Sequence, residues 1–149
     1  MQVEIKVTDK RVLEWGLPQY GSDHAAALDL RACMNSPVTL NNRECVKISS
    51  GVSIFLKDPN YVGLVTPRSG WGSKGLALMN SLGVIDADYQ GDIVCFVTNR
   101  GERPITINPG DRILQYIALP IARLDLRVVD EFSQETVRGD GGYGSSGNQ

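Results

Sequence analysis

Short runs that alternate apolar and polar residues, or crowd β-branched ones, recur along almost the whole chain, and turn formers cut each of them off. The runs are QVEIKV (2–7), CVKI (45–48), GVSIFL (51–56), YVGLVT (61–66), DIVCFVT (92–98), PITI (104–107) and RILQYIAL (112–119). Between them stand NN at 41–42, KDPN at 57–60, NRG at 99–101 and NPGD at 108–111. Strand side chains point to opposite faces in turn, whereas an amphipathic helix must keep a period of about 3.6 residues over roughly ten positions or more. No segment keeps that helical period; RVLEW (11–15) and the stretch after Ser69 have room for a turn or two. The pattern predicts an all-β domain, a sandwich or barrel of many short strands.

With 149 residues, 42% of them hydrophobic and 21% charged, the chain has the size of one domain with a packed core. Its composition shifts once, near Gly139, where the acidic and polar EFSQET gives way to glycine and serine. We therefore expect a body over 1–137 and a flexible C-terminal arm over 138–149. Glycine and serine suit a linker, but a linker needs neither Arg138 nor Tyr143. The start, MQVEIKV, lacks the basic region and unbroken apolar stretch of a secretory signal, and no apolar run is long enough to span a bilayer. Cys33, Cys45 and Cys95 lie far apart with no CxxC pair, which predicts reduced, buried thiols and a cytoplasmic location. A net charge of −2 and an isoelectric point near 5.3 argue against nucleic acid or a membrane surface as partner, so an anionic ligand has to be met locally.

The single histidine, His24, excludes a zinc site built on several histidines, and its polar surroundings, SDHAA, mark a solvated loop. PRSGWGSKG (67–75) offers close backbone approach at its glycines and donors from Arg68, Ser69 and Lys74, which suits a phosphate and equally suits a turn. It is not a Walker A loop, where GK precedes Ser or Thr, because the order here is SKG. GVIDADYQGD (83–92) carries Asp86 and Asp88 behind the apolar Val84 and Ile85, so Asp86 stands where a strand leaves the core. A carboxylate there serves either as a general base on water or as an acceptor in a turn. In ALDLRA (27–32) the apolar setting of Asp29 demands a partner, either an arginine or a magnesium ion shared with substrate phosphates. GDRILQYI (110–117) alone reads as a turn running into a strand, with Asp111, Arg112 and Gln115 as its polar residues.

Taken in order, ALDLRA, PRSG, GVIDADYQGD, GDRILQYI and RGDGGYGSSG resemble the five motifs of the homotrimeric dUTPase family, and they span residues 27–147. Each is short, but the ordered set is specific. The resemblance implies a distorted jelly-roll β subunit in a homotrimer whose active sites are shared between chains. It also implies Mg2+-dependent hydrolysis of dUTP to dUMP and pyrophosphate, which keeps uracil out of DNA and supplies dUMP. By the same resemblance Asp86 activates the water that attacks the α-phosphorus, and Asp29 holds Mg2+ through bound water. Arg68, Ser69, Gly70 and Gln115 are expected on the phosphates; Asn80, Gly83, Val84, Ile85, Asp86 and Val94 are expected to line the uracil and deoxyribose pocket. Tyr89 is expected under the sugar, where it excludes a ribose 2′-hydroxyl. Arg138 is expected at the γ-phosphate, Tyr143 over the base, and Gly144, Ser145 and Ser146 across the phosphates. Asp111 and Arg112 are expected to be structural, fixing Arg68 by an ion pair.

Two features depart from the family pattern. Trp71 replaces a smaller aliphatic residue ahead of a shortened segment 71–80, and Tyr143 stands where Phe is common. The physical demands agree with the assigned roles: a triphosphate brings about four negative charges, and Arg68 and Arg138 are planar donors suited to its oxygens. Two other readings remain open. A dCTP deaminase-like enzyme would use a glutamate near the base and lack the GGYGSSG tail; a non-catalytic nucleotide-sensing or protein-binding trimer would not need Asp29, Asp86 and Arg138 together.

Overall fold

The computed structural model of the chain describes residues 1–142. In chain order its elements are β1 Glu4–Val7, α1 Arg11–Trp15, β2 Gln19–Tyr20, β3 Leu28–Arg31, β4 Val38–Leu40, β5 Cys45–Ser49, β6 Val52–Phe55, β7 Tyr61–Pro67, α2 Ser69–Gly72, β8 Leu76–Leu78, β9 Gly83–Ile85, β10 Val94–Asn99, β11 Ile105–Ile107 and β12 Arg112–Pro120. The strands form a five-stranded sheet in the order β2-β3-β12-β7-β9, a three-stranded sheet β5-β10-β8, and the pairs β1-β6 and β11-β4. All the pairings are antiparallel. The result is a jelly-roll β-sandwich with no closed barrel, and the helices are the short turns expected at RVLEW and after Ser69.

Strand alternation fills the core. In β10, Cys95 and Val97 point inward while Phe96 stays 53% exposed between them. The next residue but one, Asn99, is fully buried and polar, and its amide is satisfied: Nδ2 donates to the carbonyls of Leu40 and Arg103, and Oδ1 accepts from the Gly101 N–H. That side chain ties the end of β4 to the loop between β10 and β11. On β7, Gly63 makes room for the buried Tyr116 ring of β12: a Cβ at position 63 would stand 2.1 Å from the Tyr116 hydroxyl.

The strand β12 departs from simple alternation. Ile113 and Leu114 are consecutive, yet both are buried, and the register with β3 jumps between Arg112 and Leu114. A β-bulge explains both facts, because one extra residue lets two neighbours turn inward and re-aims the residue before them. Arg112 thereby comes to lie opposite Arg31.

The three cysteines are free thiols. Cys33 and Cys95 are buried as expected; Cys45 is exposed, because it shares the outward face of β5 with Lys47. Burial pushes the Cys33 and Cys95 thiols up to about 11 and the Tyr116 phenol up to about 12. Each group then keeps its proton in the folded chain after the unfolded chain has lost it, so the unfolded state binds fewer protons in that window. Stability is expected to be insensitive to these groups at neutral pH and to fall as pH rises from about 9 to about 12. Urea-unfolding midpoints measured with reductant across that range check it; a midpoint that stays level would contradict the burial.

The last strand ends at Pro120, and residues 121–142 have no strand or helix. Leu124, Leu126, Val128 and Phe132 are all more than four-fifths exposed there. Among the described residues no helix is long and apolar enough to cross a membrane. Tyr143, Gly144, Ser145 and Ser146 lie outside the described residues.

Candidate active site

Asp29, in the middle of β3, sits opposite Gln115 of β12, which in turn sits opposite Thr66 of β7. Residues directly opposed in a sheet share a face, so these three side chains form a row across it. The Asp29 side chain is only 8% exposed and needs compensation for its charge. It receives two partners: Arg112 donates from Nη1 to Oδ2 at 3.1 Å, and Nε of Arg68 lies 3.0 Å from Oδ1. Both guanidinium groups stay open to solvent on their other side, 34% for Arg68 and 43% for Arg112. Two positive charges share one negative, so the cluster keeps an excess positive charge on its solvent side.

The expectation about Arg68 needs one correction. Its acidic partner is Asp29, not Asp111, because Asp111 turns back to cap the NPGD turn: Oδ2 accepts the Asn108 N–H at 2.8 Å. Arg112 belongs to the same cluster but reaches Arg68 only through Asp29.

Arg68 follows β7 in an extended conformation, and α2 begins at the next residue. Its carbonyl accepts from the Trp71 and Gly72 N–H groups, which closes a single helical turn. The first N–H groups of such a turn, those of Ser69 and Gly70, have no partner inside it. Both residues are exposed, and nothing approaches within 4 Å of where a Gly70 Cβ would stand. Arg68, Ser69, Gly70, Gln115 and Asp29 therefore lie around one corner of the five-stranded sheet.

A second group forms where β9, the edge of that sheet, faces β10 of the neighbouring one. No pairing links these two strands, and the gap between them is a cavity of about 410 Å³. Asn80, Gly83, Val84, Ile85 and Val94 all line it, together with Met79 and Phe96. An edge strand leaves backbone N–H and C=O groups unpaired along one side, which is what in-plane recognition of a base requires. Sequence reasoning missed Met79 and Phe96 because each looks like ordinary core; their exposure of 54% and 53% separates them from it.

Asp86 follows β9 directly, is exposed, and makes no side-chain hydrogen bond or ion pair with the described residues. It borders a separate hollow with Lys57, Tyr61, Asp88 and Arg123. The turn after it is braced: the Tyr89 N–H donates to the Asp86 carbonyl, and the Lys57 N–H donates to that of Ala87. Tyr89 has a fixed ring, since its hydroxyl donates to the Asp92 carbonyl at 2.9 Å. Asp92 is held in turn, its carboxylate accepting from Thr8 and Ser49. The ring passes so close to Gly91 that a Cβ there would stand 2.3 Å from the hydroxyl. Gly91 and Asp92 were not singled out from sequence, although both sit inside GVIDADYQGD.

Arg138 is exposed, and its Nε donates to the Gly141 carbonyl within the arm. It is not brought to the other expected residues within this chain. Among the described residues no three His, Cys, Asp or Glu side chains cluster as a metal cage would need.

The dUTPase family model matches residues 13–147. The chain is 41% identical over 151 aligned positions to the deoxyuridine 5'-triphosphate nucleotidohydrolase of Acinetobacter baumannii, covering 100% of both chains. It is 41% identical to the enzyme of the same name from Psychrobacter arcticus, covering 99% of this chain and 98% of that one. Among solved structures, the dUTPase of Staphylococcus bacteriophage 80alpha with dUPNHPP superposes with a TM-score of 0.85 at 27% identity, covering 98% of each chain.

Proposed function

Because the chain belongs to the dUTPase family, we propose that it hydrolyses dUTP to dUMP and pyrophosphate by attack of an Asp86-activated water on the α-phosphorus. The observation that carries this reading is the convergence of Asn80, Gly83, Val84, Ile85 and Val94 on the cavity between β9 and β10, with Asp86 the next residue along the chain. Uracil seats in that cavity and the chain of phosphates leaves past Asp86. Cytosine exchanges an acceptor for a donor, and a fixed backbone edge rejects it by leaving buried groups unpaired. Tyr89, held by Asp92, packs under the deoxyribose.

Asp86 takes a proton from water as the oxygen bonds to the α-phosphorus, and the bond to the bridging oxygen breaks to release pyrophosphate. Arg68, the Ser69 and Gly70 backbone and Gln115 hold phosphate oxygens, and Arg138 adds a guanidinium from the arm. Magnesium, when bound, neutralises charge that grows on the leaving group. An ion carried on the triphosphate would need few protein ligands; Asp29, which would hold its waters, is 8% exposed and already meets Arg68 and Arg112, so it would do so only through the lone pairs that those arginines leave.

We further propose a homotrimer with shared sites, an arm over 138–149 that closes with Tyr143, Gly144 and Ser145 over the nucleotide, and action in the cytoplasm. The bare Leu124, Leu126, Val128 and Phe132 support association, since a run of exposed apolar side chains calls for a second surface. Hydrolysis in H2(18)O tests the reaction: the label is expected in dUMP, and label in pyrophosphate would refute attack at the α-phosphorus.

A further inference from the structure

We infer that Arg112 is a positioning residue for the phosphate-binding Arg68, acting through Asp29, and that the β-bulge of β12 is the device that delivers it. The inference rests on the reading of Arg68 as a phosphate ligand given above.

Asp29 has two oxygens, and each is assigned. Arg112 takes Oδ2 by hydrogen bond, whereas Arg68 meets Oδ1 as an ion pair, Nε lying 3.0 Å away. A guanidinium beside a lone carboxylate prefers to take both oxygens in a fork. Arg112 competes for Oδ2, which weakens that fork, and the Arg68 side chain keeps 34% of its surface open to solvent. Remove Arg112, and Arg68 is free to turn its fork onto Asp29, withdrawing a donor from the phosphate.

The bulge serves both arginines. It places Arg112 on the same side of the sheet as Arg31 and Asp29 while Ile113 and Leu114 fill the core. The carbonyl of the bulged residue, Ile113, accepts the Arg68 N–H at 2.9 Å, so the same irregularity fixes the backbone from which Arg68 projects. The turn that leads into β12 is pinned as well, with Arg31 Nη1 donating to the Gly110 carbonyl and Asp111 capping the Asn108 N–H. None of these contacts requires Arg112 to touch a ligand.

Arg112→Gln in the full chain is expected to raise KM for dUTP and the inhibition constant of inorganic pyrophosphate by roughly tenfold to a hundredfold, the worth of a charge-assisted donor. Inhibition by deoxyuridine, which has no phosphate, is expected to stay at the parent value, and kcat to change less than KM. Arg112→Lys is expected to recover part of the loss, because an ammonium still occupies Oδ2. In an Arg68→Gln background the Arg112→Gln change is expected to become nearly silent.

Unchanged pyrophosphate inhibition, an equal loss with deoxyuridine, or full additivity with Arg68→Gln would each overturn the inference. If Arg112→Gln does not fold, Arg112→Lys carries the same comparison, with an intermediate pyrophosphate constant expected and the parent value contradicting. A parent chain that binds pyrophosphate but leaves dUTP intact would sink the proposed reaction and not this coupling.

Discussion

Replacing Asp86 by asparagine is expected to cut turnover of dUTP by roughly 10²- to 10⁴-fold while leaving its binding close to that of the parent chain. The amide has nearly the same shape and can hold a water, but it cannot accept the proton that the attacking oxygen must lose. Asp86 has no structural partner among the described residues that would explain its charge. It is exposed, it makes no ion pair or side-chain hydrogen bond with the described residues, and it follows the strand whose edge lines the cavity. A structural carboxylate behaves differently: Asp111 and Asp92 each accept hydrogen bonds that hold a turn or a strand end. Steady-state kinetics with a parallel equilibrium titration of dUTP separate the outcomes. A loss of binding equal to the loss of turnover would make Asp86 a substrate clamp, and near-parent turnover would remove it from the chemistry.

The second large effect concerns sugar choice. Gly91→Ala is expected to erode the preference for dUTP over UTP by up to roughly 10²-fold, the scale on which a packed apolar face rejects an added hydroxyl. The added methyl would stand 2.3 Å from the Tyr89 hydroxyl and 2.5 Å from the ring carbon that bears it, so the ring must move. Its movement would break the bond to the Asp92 carbonyl and, on the proposed placement of the sugar, would open space below it. Tyr89→Phe provides the milder comparison, because the ring stays while its tether is lost. The ratio of kcat/KM for dUTP and UTP in the three proteins reports the effect; an unaltered ratio in Gly91→Ala would show that Tyr89 does not set sugar choice.

Much of this arrangement was legible in the residues. Period-two runs marked β1, β5, β6, β7, β10, β11 and β12 because each is long or β-rich enough to show its pattern. β2, β4 and β8 were not marked, since strands of two or three residues carry no readable period unless, as in β11, β-branched residues crowd them. Asp29 shows where local reading stops. Its apolar neighbours announced that the charge needs a partner, but Arg112 is 83 residues away, and its arrival depends on a bulge that the sequence RILQ does not advertise. Cys45 failed for a simpler reason: a thiol at a strand start takes whichever face the register dictates. Gly91 and Asp92 escaped notice because their work is on Tyr89, and steric contact between near neighbours in a turn leaves no spacing rule to find.

The central claim is selective cleavage of dUTP, and a competition assay tests it most directly. Equal amounts of dUTP, dTTP, dCTP and UTP are offered together, with and without Mg2+, and the four monophosphates and pyrophosphate are followed. Loss of dUTP alone, with dUMP and pyrophosphate formed in equal amounts and only when Mg2+ is present, is the predicted result. Ammonia release from dCTP, or persistence of dUTP after the others are consumed, would contradict it.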